Sequence, residues 1–404
     1  MSIKLKVGIL KETKTPPDKR TAIPPRLAVQ MLEKFDNIEL YIQSSNIRAY
    51  KDEEYIALGL KVVDEISHCD ILAGVKEAHI PTLIENKTYL FFSHTAKEQE
   101  YNRDLLQEFL NKNIKMLDHE YFTNEKGMRL VAFGNWAGLV GAYNGLIALG
   151  KRTGAFNLKR AIDSHDIKEM KEALKTINVP AKKFLITGGG RVAHGAMEIL
   201  ETAGIKHISP EDFLKKDFNE AVYTKLDPQY YVTRKDGSDF DLQHFFKKPE
   251  MYKSTFKPFT KVADVYIACH FWDENSPKFI TREDMKEDDF KISIIADVSC
   301  DINDPIASTL RPSEISNPFY GYNKKEEKEG DPFDKNNITV MAVDNLPGEV
   351  PRDSSLDFGQ GLIDNIFPSL FGEDTTGIIE RATITENGKL GKHFQYLKYF
   401  LEEK

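Results

Sequence analysis

The feature that most constrains the fold is a run of three glycines, Gly188-Gly189-Gly190, between an apolar segment and a helical pattern. Residues 184–187 form a short apolar strand pattern, and residues 191–201 carry apolar side chains at helical spacing. Glycines permit a sharp turn and a close approach to the backbone, and the helix that follows presents its N–H groups to an anion. In this strand–turn–helix context, the pattern is typical of sites that bind the pyrophosphate of a dinucleotide.

Strand and helix patterns alternate on both sides of this turn, which predicts parallel sheets with crossover helices. The strand-like segments are residues 6–10, 38–42, 71–75, 89–92, 114–117, 183–187, 264–268 and 293–297. A helix is expected over residues 97–111 and another over residues 354–370. Residues 215–259 form a polar insertion rich in Tyr, Phe and Lys, and residues 323–337 are expected to form an exposed loop.

A chain of 404 residues is longer than a single core usually supports, so two lobes are expected. The predicted fold class is α/β, with two Rossmann-like lobes, parallel sheets and an active site in the cleft between the lobes. Residues 1–135 with 345–404 are predicted to form a discontinuous substrate domain, and residues 136–344 the dinucleotide-binding domain. Small residues in 134–154, such as Gly138 and Gly145, suit a closely packed helix between the lobes.

The composition excludes several classes of protein. A net charge of -8 argues against nucleic acid as a partner, because phosphate binding needs a basic face. Cys69, Cys269 and Cys300 form no paired motif, so neither a disulfide framework nor a metal site is expected, and a reducing compartment is favoured. Residues 1–6 show no apolar leader, and no apolar run is long enough to span a membrane. A cytoplasmic protein without membrane contact is therefore predicted.

The cofactor site is predicted to include Gly188, Gly189, Gly190, Arg191, Val192 and Ser209. In NAD-binding units an acidic residue at the end of the second strand grips the ribose hydroxyls. Here residues 205–208 are interpreted as that strand, and Ser209 follows it, whereas the acids Glu211 and Asp212 come only after Pro210. A serine tolerates a 2′-phosphate, which favours NADP(H). The alternative is that Glu211 or Asp212 reaches back and the protein prefers NAD.

Titratable residues follow four strands of the first lobe, at the sheet edge where α/β proteins bind ligands. Lys14 and Arg20 follow the first strand, and the other strands are followed by Lys76 with Glu77, by His94 and by Glu120. Arginine offers a planar fork for a carboxylate, and a lysine among other cations becomes a usable base because its pKa falls. A lysine–histidine pair beside a nicotinamide suits proton transfer coupled to hydride transfer.

Several separated blocks resemble one group of enzymes. Residues 8–14 and 20–25 are similar to the N-terminal domain of the alanine dehydrogenase, transhydrogenase and saccharopine dehydrogenase group. Residues 93–100, 129–138, 297–299 and 343–347 resemble the lysine-forming saccharopine dehydrogenases, and particularly the lysine–ketoglutarate reductase domain of bifunctional lysine-degrading enzymes. The resemblance covers nearly the whole chain.

This resemblance implies a reaction and a set of roles. Lysine and 2-oxoglutarate would condense to an imine, which NAD(P)H reduces reversibly to saccharopine. Lys76 and His94 match the family's acid/base pair. The other matching positions are Lys14 and Arg20 near substrate carboxylates, Glu77 and Glu120 as acids that tune the pair, Asp297 and Asp301 near the nicotinamide, and Asp344 as a ligand-facing acid.

Two alternatives remain open at this point. An amino-acid dehydrogenase of the alanine dehydrogenase type would use ammonia and a small 2-oxo acid. A non-catalytic dinucleotide-binding protein would bind the cofactor without turnover, although the presence of both Lys76 and His94 argues against it. The sequence carries no signal for the oligomeric state or for the physiological direction.

Overall fold

In a computed structural model of the protein, residues 4–402 are described. Residues 1–3, on which the prediction of a missing leader partly rests, lie outside this part of the chain, as do residues 403–404. Between residues 4 and 402, no helix combines the length and the apolar character needed to cross a membrane.

The chain divides into two compact units, Met1–Phe133 with Pro351–Lys404 (unit 1) and Gly134–Val350 (unit 2). The domain boundaries predicted from the sequence were 135/136 and 344/345. The roles predicted for the two domains, and the predicted cleft site, stay predictions.

The strands follow one another along the chain in both units. They are β1 (Leu5–Ile9), β2 (Ile38–Gln43), β3 (Lys61–Val63), β4 (Ile71–Lys76), β5 (Thr88–Phe92), β6 (Lys115–Asp118), β7 (Lys183–Thr187), β8 (Lys206–His207), β9 (Val222–Leu226), β10 (Val232–Arg234), β11 (Tyr252–Ser254), β12 (Val265–Ala268), β13 (Ile294–Asp297), β14 (Phe319–Asn323), β15 (Lys328–Gly330), β16 (Asn337–Met341), β17 (Thr383–Glu386) and β18 (Lys389–Leu390).

The helices alternate with these strands. They are α1 (Pro25–Lys34), α2 (Asp52–Ile56), α3 (Arg103–Asn111), α4 (Gly134–Thr153), α5 (Ile167–Leu174), α6 (Arg191–Thr202), α7 (Pro210–Lys215), α8 (Pro228–Tyr231), α9 (Leu242–Lys247), α10 (Lys257–Thr260), α11 (Arg282–Lys286), α12 (Pro351–Gly361), α13 (Phe367–Phe371), α14 (Ile378–Ala382) and α15 (Leu397–Glu402). A π-helical turn, Leu362–Ile366, joins α12 to α13.

The sheet of unit 1 has the order β18-β17-β6-β5-β4-β1-β2-β3. Strands β1 to β6 are parallel in the Rossmann order 3-2-1-4-5-6, and β17 joins β6 in antiparallel fashion. Apolar clusters pack against the strands, which explains why β4 and β5 read as continuous apolar runs. All six carboxyl ends of the parallel strands therefore lie at one edge.

The sheet of unit 2 has the order β15-β14-β16-β13-β12-β7-β9-β8. The strand beside β7 is β9, whereas β8 is two exposed residues that pair only with β9. The second strand predicted over residues 205–208 is thus present as β8, but β9 lies between it and β7. The treatment of residues 215–259 as an insertion throughout was wrong, because Val222–Leu226 lies inside the sheet. The polar side chains of β9 concealed this strand in the sequence. They can lie in the sheet because the hydroxyls of Tyr223 and Thr224 both have hydrogen-bond partners.

Two smaller expectations were also wrong in part. The helix expected over residues 97–111 begins only at Arg103, because Glu98 adopts a left-handed backbone (φ 55°) that interrupts it. The loop expected over residues 323–337 contains the hairpin strand β15. With these exceptions, the predicted α/β fold class with two mostly parallel sheets is confirmed.

Helix α4 packs very closely on α6, as its small residues predict. A Cβ atom added to Gly138 would lie 1.7 Å from the carbonyl oxygen of Val192, and one added to Gly195 would lie 2.0 Å from that of Asn135. The two helix backbones are therefore in contact at these glycines. This contact fixes the position of α6, the helix that follows the glycine turn.

Candidate active site

Unit 1 brings the predicted titratable residues together at the carboxyl edge of its sheet. The Lys14 ammonium lies 2.9 Å from a Glu77 carboxylate oxygen, and His94 Nδ1 lies 3.8 Å from Glu120. Lys76, the last residue of β4, is close enough to Lys14 and Glu77 for both charges to affect its pKa. The structure therefore brings these five residues together at one edge of the sheet.

Lys76 is the most perturbed cation of this cluster. Burial lowers the pKa of its ammonium to about 8, and the nearby positive charges of Arg20 and Lys14 act in the same direction. Its Nζ atom makes no hydrogen bond or ion pair with any residue between 4 and 402. A half-buried lysine of this kind can exchange a proton near neutral pH.

His94 follows β5 and is held in an unusual backbone conformation. Its φ is 56°, in the left-handed region, and its ring stacks on Phe92 with an interplanar angle of 19°. Burial lowers the pKa of the imidazole to about 4, assisted by the charges of Lys76 and Lys97. The ring is therefore neutral at pH 7, and its Nε2 atom has no hydrogen-bond partner among the described residues.

Arg20 is placed differently from the expectation that its fork faces a substrate. Its Nε and Nη2 atoms hold the two carboxylate oxygens of Asp18 at 3.0 and 2.6 Å, and the guanidinium stacks 4.4 Å from the Phe133 ring centroid. The pair is buried. In this structure Arg20 acts on the site through its charge, which helps to lower the pKa of Lys76.

Glu120 forms ion pairs with two cations that were not among the predicted site residues. Lys97 lies 3.1 Å from one of its oxygens, and Arg129 forms a short ion pair with the other. Burial opposes ionisation of Glu120, but Arg129, Lys97 and His94 together lower its pKa. Both cations belong to blocks that carried the family resemblance, residues 93–100 and 129–138, and this was the signal that could have found them.

In unit 2 the glycine turn has the geometry of an anion cradle. Gly188 has φ +105°, and a Cβ there would lie 2.5 Å from the Cys269 carbonyl oxygen, so glycine is required. A Cβ on Gly190 would meet nothing within 4 Å, which leaves open space above the start of α6. Arg191 is exposed at that start, and Val192 packs its carbonyl on Gly138. An uncapped helix N-terminus beside an open glycine fits a pyrophosphate.

Asp227 is an acidic residue at a strand end close to the glycine turn, and the sequence pattern did not reveal it. It directly follows β9, the strand beside β7, and its Oδ1 lies 2.6 Å from where a Cβ of Gly189 would be. Lys225 holds the same oxygen at 2.6 Å. Ser209 instead caps α7 by accepting the N–H of Asp212. Because β9 was read as part of an insertion, nothing in the spacing marked Asp227 as a strand-end acid.

Asp297 and Asp301, predicted near the nicotinamide, and Asp344, predicted as a ligand-facing acid, have different environments. Asp297 is buried and accepts hydrogen bonds from Ser299, Cys300 and Thr309, so it holds its own loop together. Burial raises the pKa of Asp301 to about 6, and Asp344 is exposed. Within residues 4–402 no cluster of three His, Cys, Asp or Glu side chains is arranged to hold a metal ion.

Comparison with known proteins confirms the resemblance found in the sequence blocks. Residues 8–140 match the family model "Alanine dehydrogenase/PNT, N-terminal domain". The chain is 27% identical over 420 residues to the alpha-aminoadipic semialdehyde synthase of Mus musculus, covering 91% of this chain and 45% of that protein. It is 27% identical over 385 residues to the saccharopine dehydrogenase [NAD(+), L-lysine-forming] of Schizosaccharomyces pombe, covering 88% and 90%. The chain thus spans about half the mouse protein and most of the yeast one.

Two solved structures share the fold. An L-alanine dehydrogenase superimposes with a TM-score of 0.67 at 14% identity, covering 98% of this chain and 100% of that one. A transhydrogenase from Sinorhizobium meliloti gives a TM-score of 0.58 at 13% identity, covering 95% and 98%. At these identities the comparison supports the Rossmann-like fold and nothing finer.

Proposed function

We propose that this protein is an oxidoreductase that condenses L-lysine with 2-oxoglutarate and reduces the product to saccharopine, reversibly, with a nicotinamide dinucleotide. Its similarity to lysine-forming saccharopine dehydrogenases supports the substrate class. The observation that carries the proposal is the pair Lys76 and His94, whose Nζ and Nε2 atoms have no partner among the described residues at the edge where α/β sheets bind ligands.

The pKa values of Lys76 and His94 suggest which of them donates a proton and which accepts one. Near pH 7 Lys76 still carries a proton, whereas His94 is neutral. His94 would accept the two protons of the attacking amine in turn and deliver each to the carbonyl oxygen, which leaves as water when the C=N bond forms. Lys76 would protonate the nitrogen while the C=N carbon is reduced, and would accept that proton in the reverse direction. The bound dinucleotide would supply or take up the hydride.

The surrounding charges favour this substrate class over a small 2-oxo acid with ammonia. Saccharopine carries three carboxylates, and the site holds the partly exposed cations Lys14, Lys97 and Arg129 in addition to buried Arg20. An alanine dehydrogenase-type substrate has one carboxylate to bind. Glu77, Glu120 and Asp18 pair with these four cations, and Lys76 adds a fifth, so the site keeps a surplus of positive charge that supports saccharopine chemistry over this alternative.

The direct test is an assay of the purified protein that follows nicotinamide absorbance. Lysine with 2-oxoglutarate should give turnover and a product with the mass of saccharopine. Ammonia with pyruvate or with 2-oxoglutarate should give none. Turnover with ammonia alone would assign the protein to the alanine dehydrogenase type, and dinucleotide binding without any turnover would support the non-catalytic alternative.

For the cofactor we propose NAD, which revises the preference for NADP(H) inferred from Ser209. Asp227 stands at the end of the strand beside β7, where an acid binds the ribose hydroxyls and repels a 2′-phosphate. Asp227→Ser should reduce the preference for NADH over NADPH by about tenfold or more, in line with the loss of one charged hydrogen bond. The matched control Ser209→Ala should leave that preference unchanged. The reverse result would restore the role inferred for Ser209.

A further inference from the structure

The last three residues of β4 are held differently from the rest of the strand. Pairing with β1 ends at Ala73, and the register with β5 is irregular between Ala73 and Lys76. The N–H groups of Val75 and Lys76 donate instead to the two carboxylate oxygens of Glu12, at 2.7 and 2.9 Å. Glu12 is buried, with 6% of its surface exposed. Its carboxylate therefore replaces a neighbouring strand at this point.

The Gly74 carbonyl group, in the same segment, also has a buried side-chain partner. His119 Nε2 lies 2.9 Å from the Gly74 oxygen, and because a carbonyl can only accept, Nε2 carries the proton. The ring is fully buried against Phe92, Phe122 and Phe358. Burial keeps this histidine neutral, since it lowers the pKa to about 4.

We propose that Glu12 and His119 are positioning residues that clamp the main chain of residues 74–76 and so fix the direction in which the Lys76 side chain leaves the sheet. The inference rests on the proposed function, in which Lys76 exchanges a proton. Both residues are buried, and each bonds to the backbone on which Lys76 stands. They act through Lys76 rather than on a substrate.

Lys76 needs such a clamp because nothing among the described residues holds its ammonium. The charged and titratable groups that face it come from three directions: Lys14, Asp18 and Arg20 from the loop after β1, Glu77 from its own strand end, and His94 from the end of β5. Three of these are cations or histidine. A small rotation of the strand end would change the distances to these groups and hence the proton affinity of Lys76.

The test compares Glu12→Gln, His119→Phe and His119→Gln in the whole protein. Glutamine at position 12 has one acceptor oxygen instead of two, so one N–H loses its partner. Phenylalanine at position 119 fits the aromatic surroundings but cannot donate, whereas glutamine can. We expect Glu12→Gln and His119→Phe to lower kcat by about tenfold or more, and His119→Gln to recover part of that loss. Tyr55→Phe, which removes a buried hydrogen bond to the Ile23 carbonyl elsewhere in unit 1, is the matched control and should keep kcat.

The second readout is the titration of Lys76 itself. Reductive ¹³C-methylation followed by NMR reports lysine titration in the free protein, and the Lys76→Arg variant identifies the signal. Glu12→Gln and His119→Phe should each move the Lys76 midpoint, because a strand end released from either partner changes the distances from the ammonium to Lys14, Arg20 and Glu77. The acid limb of the rate profile for saccharopine oxidation should shift with it. A purely structural role for Glu12 would lower the melting temperature without moving either midpoint.

The outcomes separate the clamp from the proposed function. Folded Glu12→Gln and His119→Phe variants with wild-type kcat and an unmoved Lys76 titration would overturn the clamp. If the wild-type protein does not turn over lysine with 2-oxoglutarate, the proposed function fails, but the titration still decides the clamp. If Glu12→Gln does not fold, His119→Phe against His119→Gln decides it.

Discussion

At the scale of single residues, the site depends on two groups whose proton affinities are both reduced. Burial and neighbouring cations lower the pKa of Lys76 to about 8 and that of His94 to about 4. If both side chains were protonated, their positive charges would repel each other. The pair therefore holds one proton, on Lys76, over most of the range from pH 4 to 8. That arrangement separates a donor from an acceptor without any change in structure.

This separation predicts the pH dependence of the proposed oxidation of saccharopine. Lys76 must be neutral to accept a proton from the substrate nitrogen, so kcat/KM should rise about tenfold per pH unit below its midpoint near pH 8 and level off above it. Lys76→Met should remove this limb and lower kcat by about 10²-fold or more, and His94→Gln should lower kcat similarly. The exposed Lys389→Met is the control, with an unchanged profile expected. A limb that persists in Lys76→Met would assign it to another group.

Lys76, His94 and Glu120 could be predicted from the sequence as neighbours, because parallel strands bring their carboxyl ends to one edge. Glu12 and His119 could not. These two contact backbone atoms 45 to 64 residues away in the chain, and a buried hydrogen bond to a main-chain group leaves no pattern in the side chains. The ion pair between Arg20 and Asp18 could not be predicted for a related reason, since nothing in the sequence distinguishes Asp18 from other acidic residues in loops.

At the scale of elements, the glycines of unit 2 have two separate tasks. Gly195 allows the α4 backbone to contact α6, whereas Gly190 leaves space where an anion would bind. Gly195→Ala should be destabilising, because a clash with the Asn135 carbonyl outweighs the roughly 1 kcal/mol gain in helix propensity. We expect its melting temperature to fall by about 4 °C or more. Gly190→Ala should melt as the wild type does but bind the dinucleotide at least about tenfold more weakly.

Thermal melts and calorimetric titration with NADH check both variants together. Equal dinucleotide affinity in Gly190→Ala would show that the turn does not contact a pyrophosphate. Equal stability in Gly195→Ala would show that α4 and α6 can separate without cost. The contrast is informative because both changes add the same methyl group within one segment of unit 2.

The sequence could not show which strands lie side by side in a sheet. The glycine turn, its strand and its helix were predicted within a residue or two, because all three are local. The identity of the strand beside β7 depends on pairing across the sheet, and the polar residues of β9 concealed it. The proposed cofactor preference depends on that single neighbour, since Asp227 rather than Ser209 stands at the end of the strand beside β7.

At the scale of the whole molecule, the chain builds unit 1 from two separated segments and unit 2 from one. The C-terminal segment supplies β17 beside β6, and its apolar residues Ile384, Phe394 and Leu397 pack against the first segment. Residues of α12 and α13, such as Phe358 and Phe367, enter the other core cluster of unit 1. Both cores of unit 2 lie wholly within Gly134–Val350.

This division predicts that the two units respond differently to loss of the C-terminal segment. A chain that stops at Val350 lacks β17 and part of both unit 1 cores, so unit 1 should unfold and become sensitive to protease. Unit 2 keeps its sheet and its glycine turn, so dinucleotide affinity should stay within a few-fold of the wild-type value while all turnover is lost. Ile384→Asp in the full-length chain, which buries a charge in the same core, should give the same pattern without truncation. Loss of dinucleotide binding in both variants would mean that the units fold as one cooperative body, and retention of turnover in either would place the reacting residues outside unit 1.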